Sequence, residues 1–429
     1  MVKCIRGWEG IVINLRAIKY VFVLALTAVI GTSVSALTWP EAVTLLKANN
    51  NELRSAQKQL ESSSWTYRRS YGALLPQLSA NLSAGSTSVA TLAATSSYSY
   101  GLSASLDLFN SSDYYNLRSA YADYQFNQAN YDLVAANVLL ECRSAFIDLL
   151  IAQASVNLQQ KILARRQENS RLIELRYNSG NEDKGNVMRT KADEAGARHN
   201  LSSAERDLRL AGLNLSQLLG TTVASAEEEL AFNQTAQPDY ESLLSASPSY
   251  RTAKYTLESA DIQQQSTLGE FLPSVTLSGS YRKSGGSWPP ANDSNSLSLN
   301  VALPIFPGGT NFIDEVINNI KLDKAKEDFA KAVKDARFAI ASGYENLNDA
   351  LEALDVSRTL LAATTERSRI GQEKYINGLL TYDEWDIIEN DYISSQASLV
   401  NSQKNVLTAD AAWQKSYGRS HTEVMLNEK

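Results

Sequence analysis

The sequence predicts a mainly α protein with a small transmembrane β part, built from one helix, β-hairpin and long helical hairpin unit written twice. Three observations carry that prediction. Residues 54–62, RSAQKQLES, return as RTAKYTLES at 251–259. Four short stretches alternate apolar and small polar residues with a period of two, the signature of a strand with one greasy face. The stretch from Tyr114 to Tyr177 contains neither proline nor glycine and keeps helical spacing.

The echo is a duplication and not a local coincidence, because one shift is kept through patterns of different period. A shift of 197 carries Leu75-Pro76 onto Leu272-Pro273 and Leu108-Phe109 onto Ile305-Phe306. It becomes 198 further on, taking Tyr177 and Gly180 onto Tyr375 and Gly378, and Gly220 onto Gly418. The expected organisation is therefore residues 1–36, a first repeat at 37–220, a connector at 221–238, a second repeat at 239–418 and a tail at 419–429.

The first 36 residues read as an export signal. Lys3, Arg6, Arg16 and Lys19 precede an apolar run from Tyr20 to Ile30, and Val34-Ser35-Ala36 suits cleavage. Four of the 40 basic residues and one of the 47 acids lie in it, which leaves a net charge of −10 on the remainder. An acidic chain disfavours a nucleic-acid partner. Cys142 is then the lone cysteine, set in an apolar helical stripe, so no disulfide framework is expected. Beyond residue 36 no apolar run approaches the 18 residues that a membrane helix needs.

Residues 41–72 show helical spacing and stop before Pro76. Strands are expected at about 77–84 and 98–109, with 85–97 as a small polar loop, and again at about 274–282 and 296–306. Each has about the nine to eleven residues of a tilted membrane-crossing strand. Long helices are expected at about 111–178 and 312–376, returning after Gly180 and Gly378 as helices at about 186–219 and 382–417. At about 1.5 Å per residue the first would reach about 100 Å, which no compact globule accommodates. Its seam, Ala135, Leu139, Cys142, Phe146, Leu149, Gln153, Val156, Gln160 and Leu163, steps by four and three. Polar breaks at Gln153, Gln160 and Arg358 suit helices packed around a wet interior. The connector, with Glu227, Glu228 and Glu229, reads as a solvated charge run.

Four strands cannot close a barrel, and open strand edges are not viable in lipid, so association is required. Two chains would give eight strands and three would give twelve. A soluble sheet is the competing reading, disfavoured by the export signal and the lack of further strands. A periplasmic coiled-coil adaptor or a structural protein would explain the helical hairpins but needs no membrane-length strands. An enzyme is poorly served: His199 and His421 have no metal-ligand spacing, no nucleophile elbow or phosphate loop appears, and no cofactor or metal is expected.

Several motifs together resemble the TolC-like outer-membrane efflux protein family over essentially the whole chain beyond the signal. They are Leu37-Thr38-Trp39-Pro40-Glu41-Ala42 with Asn49, Asn50 and Leu53, the Leu-Pro pairs, the run Leu303-Pro304-Ile305-Phe306-Pro307-Gly308-Gly309, and the Tyr177/Gly180 and Tyr375/Gly378 pairs. The resemblance implies a homotrimer with a shared twelve-stranded β-barrel in outer-membrane lipid and a long periplasmic helical barrel. It implies a passive duct of a tripartite efflux or type I secretion system, exporting small molecules or proteins and served by a periplasmic adaptor and an inner-membrane pump. Pro304, Phe306, Gly308 and Gly309 would form a strand-to-helix turn. Asp383, Glu384 and Asp386 become gate candidates, although Ile387 stands where a second acid is expected. The turns at Tyr177, Gly180, Tyr375 and Gly378 become adaptor-docking candidates.

Overall fold

The computed structural model describes residues 36–89, 92–228 and 238–419. The signal, Glu229 and His421 lie outside those residues. The first repeat contains α1 (Trp39–Asn49), α2 (Asn51–Ser70), β1 (Gln77–Val89), β2 (Leu92–Phe109), α3 (Ser111–Asn178) and α4 (Lys184–Leu219). The second contains α5 (Tyr240–Ala246), α6 (Pro248–Gly269), β3 (Ser274–Gly285), β4 (Asn292–Ala302), α7 (Thr310–Ile376) and α8 (Tyr382–Tyr417). Element matches element. The long helices run 68 and 67 residues, and the returning helices 36 each.

The strands form one antiparallel sheet in the order β1-β2-β3-β4. Its register puts Leu82 beside Tyr100, Leu102 beside Tyr281 and Leu277 beside Leu299, so one face is apolar from edge to edge. That face is uncovered: Leu78 is 81% exposed and Leu297 80%. The opposite face is tied by hydroxyl pairs, with Ser79 to Ser103 at 2.7 Å and Ser280 to Ser296 at 2.8 Å.

Two strand boundaries differ from expectation. Residues 85–89 and 92–97 are strand and not loop, because Ser86 pairs with Ser96 and Thr87 with Thr95. Their side chains are mostly too small and hydroxylated for alternation to show, yet threonine suits a pleated surface. At the other end β4 stops at Ala302, not near 306. Pro304 and Pro307 have no N–H to give a ladder, and Gly308 and Gly309 turn the chain with φ of 73° and 83°. Strand and helix are separated by one residue in the first repeat and by seven in the second.

Nearest the sheet the helices lie side by side as α2–α3–α6–α7, each beneath the strand to which it is joined. Farther away the order becomes α4–α3–α8–α7. Both layers leave α7 at one edge, and β4 is the sheet edge on the same side.

Where α3 passes α1 and α4, Ala135, Leu139, Cys142, Phe146 and Leu149 are buried with Leu46 and Leu215, and burial pushes the Cys142 thiol up to about 12. The connector is not a solvated run throughout. Ala226 pairs with Leu37, the Gln153 side chain is spent on both backbone groups of Ala226, and Arg143 grips Glu228 through two bonds of 2.7 and 2.8 Å. No helix among the described residues is long and apolar enough to cross a membrane.

Candidate functional site

The end of the molecule farthest from the sheet brings the two helical hairpins together. Each long helix ends in the same turn. Gly180 and Gly378 adopt φ of 76° and 74°, and the next residue's N–H reaches back to the carbonyl of Arg176 or Lys374 at 2.8 Å. This six-to-one bond requires a left-handed residue, which glycine supplies without steric cost. The returning helices begin on side-chain caps: Asp183 accepts from the N–H of Asn186, and Thr381 from that of Glu384.

The expected gate acids occupy three different environments. Asp383 is exposed. Glu384 is also exposed, but its carboxylate closes a capping box by accepting from the Thr381 N–H and hydroxyl at 2.9 Å. These bonds, backbone first, hold its carboxyl below the usual range. Asp386 is buried, accepting from Arg189 of α4 at 2.8 Å with Arg166 of α3 at 3.7 Å. Ile387, beside them, is 58% exposed.

The strongest link between the hairpins uses residues outside that acidic trio. Glu389, 1% exposed, accepts from Arg165 Nε at 2.5 Å and Nη2 at 2.8 Å, and Ser368 donates to it at 2.6 Å. Arg165 also lies over the Tyr392 ring at 4.9 Å. Burial works to raise the Glu389 carboxyl, but the bonds from Arg165 and Ser368 together with the Arg165 charge outweigh it and leave the group below its ordinary value. Arg166 adds a bond to Asn390 at 2.5 Å across the hairpins, and within the second hairpin Arg367 pairs with Asp391 at 2.9 Å.

At the tip itself Tyr375 is buried, stacked on Trp385 at 4.7 Å with an interplanar angle of 4°, and its hydroxyl donates to Glu182 in the first hairpin's turn. Burial and then the Glu182 bond push its phenol upward. Arg176 lies over the same ring at 4.7 Å and donates to the carbonyls of Tyr375 and Ile376, which end α7. Tyr177, by contrast, is exposed, as are Gly180 and Gly378. Of the four turn candidates, Tyr375 therefore works from inside the tip.

Sequence reasoning missed Arg165, Arg166, Arg176, Arg189, Glu182 and Glu389. One signal was available. Tyr382, Trp385 and Glu389 step by three and four, which puts a carboxylate on the buried face of α8, where it requires a partner.

A sheet with one naked apolar face and one hydroxyl face, carried on helical hairpins of about 100 Å, defines a subunit of a transmembrane β-barrel continued by a helical tunnel. The chain belongs to the outer membrane efflux protein family, whose model matches residues 42–221 and again 240–419. It is an outer-membrane efflux channel subunit with a long helical extension into the periplasm. It is 24% identical to the outer membrane efflux protein BepC of Brucella suis over 92% of this chain and 88% of that one. To the alkaline protease secretion protein AprF of Pseudomonas aeruginosa it is 23% identical, over 64% of this chain and 61% of that one. The fold is that of the outer membrane protein VceC of Vibrio cholerae, with a TM-score of 0.79 and 20% identity over 88% of this chain and 95% of that one.

Proposed function

We propose that three copies close one twelve-stranded barrel and act as a passive duct, reached from the periplasm through an adaptor and driven by an inner-membrane pump. One observation carries this reading. The unpaired edges of β1 and β4 lie above helical edges formed by α2 and α4 on one side and α7 on the other, so strand and helix layers join the same neighbouring copy. A sheet open in lipid would leave backbone groups unsatisfied at several kcal/mol each. The uncovered apolar face argues against a soluble adaptor or structural protein.

The contacts between hairpins act as a latch. Arg165–Glu389, Arg189–Asp386 and Tyr375–Glu182 hold the second hairpin's tip against the first, and parting them widens the periplasmic end. Asp383 remains the acid free to face the passage, while Glu384 is committed to the cap of α8. The exposed turns around Tyr177, Gly180 and Gly378 are the adaptor's landing points. The duct itself performs no chemistry. Export of proteins is a second reading, favoured by the likeness to AprF.

Native mass spectrometry of detergent-extracted protein tests the assembly: three chains are expected, and a stable monomer or dimer would overturn the proposal. Planar-bilayer recording tests the duct, which a protein without conductance would not be.

A further inference from the structure

The hydroxyl face of the sheet is almost free of charge. Followed through the paired registers, its described side chains are serine, threonine, asparagine and glutamine, with glycine at 85 and 101 and alanine at 302. Two positions break the pattern. Asp107 lies near the helical end, opposite Thr276 and accepting from its hydroxyl at 2.7 Å. Arg282 lies six residues along β3 toward the outer turns, about 20 Å away.

Arg282 is held in a prepared position. It faces Gly101 across the β2–β3 pair, and a Cβ on that glycine would stand 3.3 Å from the Arg282 Cβ and 2.5 Å from the Tyr281 carbonyl oxygen. The guanidinium reaches over to β2 and donates to Ser99 Oγ at 2.9 Å, and Ser99 in turn pairs with Ser83 of β1 at 2.7 Å. This chain of bonds links three strands. The remainder of its fan of donors is uncommitted, with no ion pair among the described residues, and the residue is exposed. The neighbouring Lys283 differs: it points to the other face and is paired with Asp293 at 3.1 Å.

We infer that Arg282 is a charge-selecting residue of the duct, a belt of three guanidinium groups in the outer part of the barrel that favours anionic solutes such as carboxylates and phosphates. This rests on the trimeric duct reading, since it requires the hydroxyl face to line water. The belt is basic on an otherwise acidic chain, and among the described residues of the hydroxyl face only Asp107 opposes it. Rings of basic side chains select anions by raising their local concentration.

The local potential is measurable without passing the periplasmic latch. In a chain carrying C4S and C142S, the S280C variant places a thiol on the same face, two residues or about 7 Å from Arg282. Its reaction rates with an anionic and a cationic methanethiosulfonate, added from outside the cell, are compared with Arg282 present and with R282S. A unit charge at 7 Å in water, with a screening length of about 30 Å at 0.01 M salt and about 8 Å at 0.15 M, predicts that the anionic-to-cationic rate ratio falls about fivefold and about twofold respectively. R282K, which keeps the charge, should restore the ratio. A reactive thiol whose ratio ignores R282S overturns the role of Arg282 and leaves the duct standing. A thiol that reacts with neither reagent overturns the water-lined face, and the duct reading with it.

Discussion

Replacing Glu389 with glutamine is the sharpest perturbation of the latch. The amide keeps the shape and one acceptor, but Arg165 loses a charged partner that it holds at 2.5 and 2.8 Å. Removing one member of a buried ion pair costs about 3–5 kcal/mol. Glutamine's remaining acceptor, and the 30% of the Arg165 side chain that stays in solvent, bring the cost down to about 2 kcal/mol per chain. That is about thirtyfold in the latch equilibrium, and about 6 kcal/mol if three chains open together. Single-channel recording of E389Q should show higher conductance or a much larger open fraction. A cycle with R165Q should give a coupling of about 2 kcal/mol. A correctly assembled E389Q channel that gates like the parent, or single variants whose effects simply add, would refute the latch.

Three further outcomes follow from the geometry. Leu297→Lys on the apolar face should destabilise the barrel in lipid by about 2–4 kcal/mol, whereas Ser296→Lys on the hydroxyl face should be tolerated; equal effects on urea unfolding in vesicles would contradict the assignment of faces. The Glu389 carboxyl is depressed in the closed state, so its stabilisation is fully present above the ordinary carboxylate pKa of about 4.3 and is lost as pH falls through the lower closed-state value. Conductance should thus be the same at pH 7 and pH 5 and rise only in stronger acid, and a midpoint near pH 6 would exclude Glu389 as the controlling group. Cys142, with its thiol held up at about 12, should resist a thiol reagent at pH 8 until denaturant is added, and reaction in the native state would show the packing of α3 against α1 and α4 to be wrong.

The repeat, the strand faces and the long helices are legible because large apolar residues mark them with the right period. The ends of the strands are less so. Between 85 and 97 serine, threonine and alanine predominate and give little size contrast around Val89 and Leu92, and after Ala302 the apolar run Leu303 to Phe306 continues the alternation although Pro304 cannot continue the ladder. The site divides in a similar way. The Thr381 to Glu384 spacing is a capping box on its face, and reading it would have withdrawn one carboxylate from the pore in advance. The link between Arg165 and Glu389 spans 224 residues and follows from how two hairpins meet, which no local pattern records.

The turn at 286–291 carries one more consequence. Trp288 lies against Tyr98 and Tyr100, with ring centroids at 6.3 and 5.9 Å, and both tyrosines belong to the apolar face. The turn is therefore folded back over the outside of the wall, in the manner of the aromatic anchors found at lipid headgroups, and does not arch over the lumen. In a closed trimer the only described barrier would then be the hairpin latch at the far tip. Chemically, the whole bore would belong to the world outside the cell: its salt, its acidity and any toxic solute would diffuse down to Arg165 and Glu389, which would stand as the cell's actual frontier although they lie deep in the periplasm.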